Sequence, residues 1–495
     1  MGVVIKQSIR SSIIAYIGVA IGYVNVLWLY PNFLSSEQIG LFRLIQSSAY
    51  LLATFGQIGL AQSLIKFSPE LKKNKGFLSA ILLGGSLGFI LLSLLALLFR
   101  ASIVDYFSKE SVMFVDYFQV TLLISFLLIN FQLLEAYSRS LLKIVMPTLL
   151  KDVGLRVLST IVLLLYGFEI IDFTLLIYSL LGVYGLVLIA LAFQLKVSHQ
   201  ASLHFNFNFL KNGTWKKILN FGCYSLIGAG GTQIILQIDS IMVSGALGLK
   251  ATGVYTIAFF IGVVIEMPKR AITQISASLL SQSFNSGDMA AVKKLYQQTS
   301  INQMIIGTLL LIGIWANLES IYYFVPNNED YINGFSVVLF IALGKLSDMV
   351  FGTNGEIIIM SKHYKFNVVF VSILAVLTVV LNLFLIPIYG IEGAAIASFI
   401  AMLSFNLIKF YFVWFKFKIQ PFTMASLKFV LIALVVLGAN YFLPKFESVY
   451  IDLLVRSALI TTLLMGLTYG WKISTEINDL VDKSLRKLFR LKRPQ

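Results

Sequence analysis

Apolar runs of about twenty residues or more recur along the whole chain, separated by short polar breaks. They lie near 11–33, 40–65, 77–99, 115–138, 148–170, 173–195, 217–246, 252–280, 298–325, 332–360, 366–388, 391–415, 424–443 and 449–471. The hydrocarbon core of a bilayer takes about 20 apolar residues of helix, so the pattern predicts an all-α polytopic membrane protein of about fourteen spans. The runs are continuously apolar rather than alternating, which excludes a transmembrane β-barrel. Outer connections such as Pro31–Gln38, Gly167–Asp172, Pro326–Tyr331 and Pro387–Glu392 are short. The longest polar stretches, 196–216 and 281–297, are too short for a catalytic domain, so no catalytic residue is assigned and transport is expected rather than enzymology.

Composition agrees. Of 495 residues, 58% are hydrophobic and 12% charged, against about 45–50% and about 25% in soluble domains. The net charge of +15 would suggest nucleic acid in a soluble protein; here its distribution points to the membrane. Lys and Arg gather on one side of the predicted spans, from Lys6 and Arg10 through Lys66, Arg139, Lys196, Lys293, Lys362 and Lys409 to the tail beyond Lys472. The other side holds only Arg100, Lys109, Lys250 and Lys445. By the positive-inside rule both termini are cytoplasmic. The N-terminal run reads as a retained signal-anchor, and the basic tail Ile473–Arg493 has the amphipathic spacing of a helix lying on the inner leaflet. A lone cysteine, Cys223, excludes internal disulfides, and His199, His204 and His363 lack zinc spacing, so no metal site is expected. No P-loop and no Asp-x-Asp pair are present.

An ungapped offset of 213 pairs Ser12 with Ser225, Gly18 with Gly231, Leu34 with Leu247 and Gly40 with Gly253. Both copies of the best segment sit at the outer turn joining the first two spans of a six-span unit. Six is even, so the units form a parallel repeat about an axis along the membrane normal. The expected organisation is a lobe over 1–200, a second over 201–420, an extra helix pair over 421–472 and the basic tail 473–495. Substrate is expected near the interface between the lobes, with rocking giving alternating access.

Three segments carry a family resemblance: Leu34 to Phe42 followed by Phe55-Gly56-Gln57-Ile58-Gly59-Leu60; Ile238-Asp239-Ser240-Ile241-Met242 with Thr252-Gly253-Val254-Tyr255; and Asn382 through Leu385-Ile386-Pro387-Ile388-Tyr389-Gly390-Ile391-Glu392-Gly393-Ala394 to Ser398. Together they resemble bacterial O-antigen and lipid-linked oligosaccharide flippases, which belong with lipid II flippases and MATE exporters in the MOP superfamily. The resemblance implies two six-helix lobes in a V shape, a cationic cavity lined by spans 1, 2, 7 and 8, and an undecaprenyl-pyrophosphate-linked glycan as substrate. It also implies membrane lipids and other polysaccharide-assembly membrane proteins as partners, and a bacterial inner-membrane location. The additional helix pair is closer to the lipid II flippases.

Ionisable residues at membrane depth are functional candidates. Glu135 with Arg139, Asp152 with Arg156, Glu266 with Arg270 and Asp452 with Arg456 stand four apart, and Lys345 with Asp348 three apart, within reach on one helix face; such pairing makes insertion tolerable. The Glu266–Arg270 segment differs. Pro268 interrupts the helix, and two cations against one carboxylate leave a positive surplus suited to phosphate, with Arg270 and then Lys269 as substrate contacts. Arg43 and Asp239 lack same-helix partners. They are expected either to meet as an outer gate, or to divide their roles, Arg43 contacting substrate and Asp239 binding a coupling cation; Glu266 is a further gate or coupling candidate. Asn25, with Gln46 and Gln57, lines the cavity or makes interhelical hydrogen bonds. No organic cofactor is expected; a coupling ion, Na⁺ or H⁺, is compatible with the chain. The leading reading is a flippase. A MATE-like cation-coupled antiporter would call for an anionic cavity, and a membrane-embedded glycan polymerase or ligase for a large outer loop.

Overall fold

The computed structural model describes residues 2–71, 74, 76–198, 204, 205, 207 and 213–488. Lys72, Lys73, Lys75, His199, Lys211 and the distal tail residues Arg490, Lys492 and Arg493 lie outside the described residues. Among those described, every regular element is helical, and ten helices are long and apolar enough to cross a membrane. Two of the ten are double-length: Thr214–Ser286 with 73 residues and Lys365–Phe417 with 53. At about 1.5 Å per residue each far exceeds one bilayer thickness, so each supplies two crossings. The folds fall at Gly248 (φ 89°, ψ 175°) and Gly390 (φ 61°, ψ −138°), a backbone region that glycine alone enters without strain. The expected outer loop Pro387–Glu392 thus contracts to one non-helical residue.

Other expected spans are broken. The run 40–65 begins earlier, at Ser36, where Ser35 and Gln38 form a reciprocal capping box. It then splits into Ser36–Gly56 and Leu60–Leu71, because Ile58 (φ 51°) and Gly59 (φ 68°) are both left-handed. The break is held from outside. A Cβ on Gly59 would overlap the Gly222 carbonyl, and Ser63 Oγ donates to the Ile218 carbonyl at 2.9 Å. Hydrophobicity carries no trace of such a break. The first and fifth runs contain π-helical turns at Asn25–Leu29 and Leu149–Gly154. The run 332–360 divides into Phe335–Val350 and Asn354–Met360. The expected polar connection 281–297 is instead almost entirely helix: Met267–Ser286 ends at the left-handed Gly287, and Asp288 caps Met289–Ala316 by accepting from the Ala291 amide at 2.9 Å.

The chain forms two compact units, one of Met1–Ile257 with Asn382–Ile391, the other of Ala258–Leu381 with Glu392–Gln495. In the first, Gly18 and Gly22 bring the Gly2–Val24 helix against the Asp152 backbone and the Arg156 guanidinium. In the second, Ile305, Phe429, Val436, Ile460 and Leu464 form a buried seam that fastens Met424–Phe442 and Val449–Gly470 onto Met289–Ala316. The tail begins as the helix Thr475–Leu488. Ile473 and Ile477 close the end of that seam, Ser474 Oγ donates to Asn302 Oδ1 at 2.6 Å, and Gln298 pairs with Glu476.

Candidate functional site

Two polar clusters occupy the helical cores, one in each unit. In the first unit the Ser36–Gly56 helix crosses the segment following Gly248. A Cβ on Gly40 would overlap the Leu249 carbonyl, and a Cβ on Gly253 would overlap the Ser36 carbonyl. Gly40 and Gly253 are related by the offset of 213, and so are Ser36 and Leu249. The contact is therefore reciprocal, the pattern that a two-fold relation produces, and only glycine permits backbones so close.

One turn beyond the crossing, Arg43 Nε donates to Ser240 Oγ at 3.0 Å. Asp239, 6% exposed, accepts from the Tyr255 hydroxyl at 3.0 Å and from Asn382 Nδ2 at 2.7 Å. Arg43 also lies within electrostatic reach of Asp239 and Tyr255. Arg43 and Asp239 thus share one buried network, to which Ser240, Tyr255 and Asn382 are additions. The sequence did hold a signal for two of these. Tyr255 is the repeat counterpart of Phe42, and Asn382 is an amide inside an otherwise apolar run. Their convergence on Asp239 was not legible, since Asn382 lies 143 positions away.

Asn25 is buried in its π-helical turn, donating to the Arg156 carbonyl at 3.2 Å and accepting from Thr160 Oγ1 at 2.9 Å. These bonds tie two helices together. Gln57 donates to Gln132 Oε1 at 2.9 Å in the same manner.

The second unit re-pairs the charges expected to pair locally. Glu266 takes Lys345, at 2.6 Å, rather than Arg270. Asp348 takes Lys269 rather than Lys345, with Lys409 Nζ at 3.9 Å from its other oxygen. Same-helix spacing permits a pair but does not compel it; buried charges choose whichever partner packing brings into hydrogen-bonding geometry. Glu356 lies within electrostatic reach of Lys269 and Lys409, and the Lys409 ammonium sits 4.0 Å over the Phe405 ring. The segment bends through a 3₁₀ turn, Val264–Glu266, with Pro268 in the first turn of the next helix, where its missing N–H costs nothing. Lys269, expected on substrate, forms an ion pair with Asp348. Arg270 is exposed, and among the described residues no ion pair is recorded for it. Of the pairs expected within one helix, Glu135 with Arg139 and Asp452 with Arg456 (2.8 Å) form as spaced, Glu135 gaining Lys151 at 3.6 Å. No group of three metal-ligating side chains occurs among the described residues.

Comparison with known proteins places these features. A family model described as polysaccharide biosynthesis protein matches residues 4–280. An uncharacterized membrane protein of Methanocaldococcus jannaschii is 21% identical, covering 93% of this chain and 94% of its own length. Among solved structures, the lipid II flippase MurJ in an inward closed conformation superposes with a TM-score of 0.78 at 16% identity, over 96% of this chain and 100% of that one. An inward-facing MATE transporter of the MOP superfamily gives 0.62 at 13% identity, over 82% and 94%. A MOP superfamily transporter from Pyrococcus furiosus gives 0.53 at 13% identity, over 83% and 96%. At such identities the likeness is one of fold: this is a multi-pass helical membrane protein with the MurJ/MATE architecture.

Proposed function

The chain belongs to the polysaccharide biosynthesis protein family, and on that premise we propose that it is a flippase carrying a lipid-linked oligosaccharide from the cytoplasmic to the outer leaflet by alternating access. The carrier is an undecaprenyl pyrophosphate, the location a bacterial inner membrane, and both termini are cytoplasmic, as the loop charges indicate. Fourteen crossings follow if 36–71 and 145–167 each cross once beside the ten apolar helices and their two folds. Within them, 1–200 and 201–420 act as lobes and 421–472 as an appended pair.

The observation that carries this reading is Arg270. It stands exposed at the start of a membrane helix while its neighbours Glu266 and Lys269 are neutralised. A guanidinium in that position grips a pyrophosphate bidentately. Arg43 and Asp239 then serve the outer gate, with Tyr255 and Asn382 holding the carboxylate, and Asp239 is also the place for a coupling cation. A MATE-like antiporter would need the opposite polarity at Arg270.

Deletion of the gene, followed by analysis of lipid-linked intermediates, tests the proposal. Complete glycan-lipid trapped on the cytoplasmic face is the expected result. Unpolymerised glycan on the outer face points to a polymerase or ligase, and loss of dye efflux to an antiporter. Arg270→Ala should trap the same intermediate, with Arg270→Lys retaining partial transport.

A further inference from the structure

Between the spans Phe77–Leu98 and Phe118–Ser140 the chain makes two short helices, Arg100–Ser108 and Val112–Asp116. With the start of the second span they enclose a pocket of about 230 Å³. Ile103, Val104 and Phe118 supply apolar wall, and Arg100, Asp116 and Gln119 the polar lining. Arg100 and Asp116 face the same cavity without pairing: neither side chain, nor that of Gln119, makes a hydrogen bond or ion pair with a described residue. Arg100 stands two residues past the end of one span, and Gln119 is the second residue of the next. The pocket therefore opens at the membrane boundary, where its neighbours are lipid headgroups. On the first span Leu87, Leu91, Leu94 and Leu98 fall on one helix face by their spacing, each between 54% and 74% exposed, so acyl chains reach along this stripe to Arg100.

We propose that the pocket holds the headgroup of a zwitterionic phospholipid with a primary ammonium, its phosphate on Arg100 and its ammonium on Asp116 and Gln119. The volume sets the size of the occupant. It equals about eight waters at about 30 Å³ each, short of the about 300 Å³ at which pockets for drug-sized ligands begin. The charges then select among headgroups. An anionic headgroup gains at Arg100 but is repelled by Asp116, whereas a ligand carrying both signs satisfies both, more strongly where water thins towards the hydrocarbon. A guanidinium takes two phosphate oxygens side by side. A primary ammonium brings N–H donors for the carboxylate and the amide oxygen; a quaternary ammonium brings none. The same connection braces the fold at Gly248, since Ser111 Oγ donates to the Ser244 carbonyl at 2.7 Å and the Tyr106 ring lies against Gly245. A headgroup held here ties a membrane lipid to that turn, whatever cargo the protein carries.

The full-length protein, purified in detergent and stripped of lipid, is titrated with phosphatidylethanolamine, phosphatidylglycerol and phosphatidylcholine of one acyl composition, and bound lipid is counted by native mass spectrometry. The first phosphatidylethanolamine should bind about tenfold more tightly than either other lipid, the size of one charge-assisted hydrogen bond. Asp116→Asn removes the repelling carboxylate and should bring phosphatidylglycerol level with phosphatidylethanolamine or above it. Arg100→Gln should weaken both by about tenfold. Both variants should keep the wild-type unfolding temperature, because neither side chain has a partner to lose. A wild-type protein that binds phosphatidylglycerol or phosphatidylcholine as tightly as phosphatidylethanolamine overturns the proposal, as does a preference that Asp116→Asn leaves unchanged. Soluble glycerophosphoethanolamine should fail to displace the lipid at matched concentration; displacement would make the occupant a free zwitterion and overturn the lipid assignment.

Discussion

Asp348 is the most heavily engaged side chain of the second unit, with Lys269 on one oxygen and Lys409 at 3.9 Å from the other. Removing one partner of a buried pair strands the remaining charge, at about 3–5 kcal/mol. Asp348→Asn should therefore lower the unfolding temperature of the detergent-purified protein sharply. Asp348→Asn combined with Lys409→Met should recover part of that loss, because one stranded ammonium is gone; a double variant as unstable as the sum of the singles would contradict the shared network. In the first unit, Tyr255→Phe and Asn382→Ala each remove one donor from the buried Asp239 carboxylate, at about 1–3 kcal/mol apiece. The gate is tested by the exchange Arg43→Asp with Asp239→Arg. Transport should return above that of either single variant, and absence of any rescue would show that the two charges do not act as a pair. None of these partnerships follows from spacing alone. Four-residue spacing did locate Glu135 with Arg139 and Asp452 with Arg456, where nothing nearer competes. At Glu266 and Asp348 the two facing helices exchange lysines, Lys345 going to Glu266 and Lys269 to Asp348, with Lys409 added from a third helix, and the local rule loses.

Between helices, the glycine crossings set how close the backbones come. At Gly40 and Gly253 an added methyl would meet backbone carbonyls, atoms that cannot swing aside. Overpacking of this kind costs about 1–3 kcal/mol, so Gly40→Ala and Gly253→Ala should each lower the unfolding temperature. Gly438 and Gly466 are also helical, but a Cβ there meets nothing within 4 Å. Gly438→Ala should leave stability unchanged or raise it by about 0.5–1 kcal/mol, since alanine is the better helix former. This contrast in sign, read by thermal unfolding of the four proteins side by side, separates close approach from ordinary helix propensity. The pairing of Gly40 with Gly253 was visible as a weak repeat; that the two glycines touch each other's helix was not, because an offset in sequence says which positions correspond and nothing about which ones meet. The breaks at Ile58 and within the 332–360 run were hidden for a different reason. Hydropathy is indifferent to backbone angle, and an isoleucine with φ of 51° looks like any other apolar residue until Gly222 is seen against its neighbour.

For the molecule as a whole, the tail is tied into the second unit through Ile473, Ile477, Ser474 and Glu476, in addition to the amphipathic character expected of it. Truncation before Ile473 uncovers the end of the seam between Met289–Ala316 and the last two spans, and should reduce both unfolding temperature and membrane level; a truncated protein of unchanged stability would show the contacts to be incidental. Several properties belong to the sequence by itself: a helical polytopic protein, a weak repeat at an offset of 213, the uneven distribution of Lys and Arg among the connections, and a short list of charges within apolar runs. They are legible there because each follows from the water-to-lipid transfer of whole segments, an effect that sums over about twenty residues and ignores partners. The tertiary structure alone decided which of those charges are neutralised, which glycines are contacts, and that Arg270 is left exposed at the start of a membrane helix. Those outcomes depend on side chains far apart in the chain, Lys269 and Asp348 by 79 positions and Arg43 and Ser240 by 197, meeting within hydrogen-bonding distance, and such geometry is written in no local stretch of the chain.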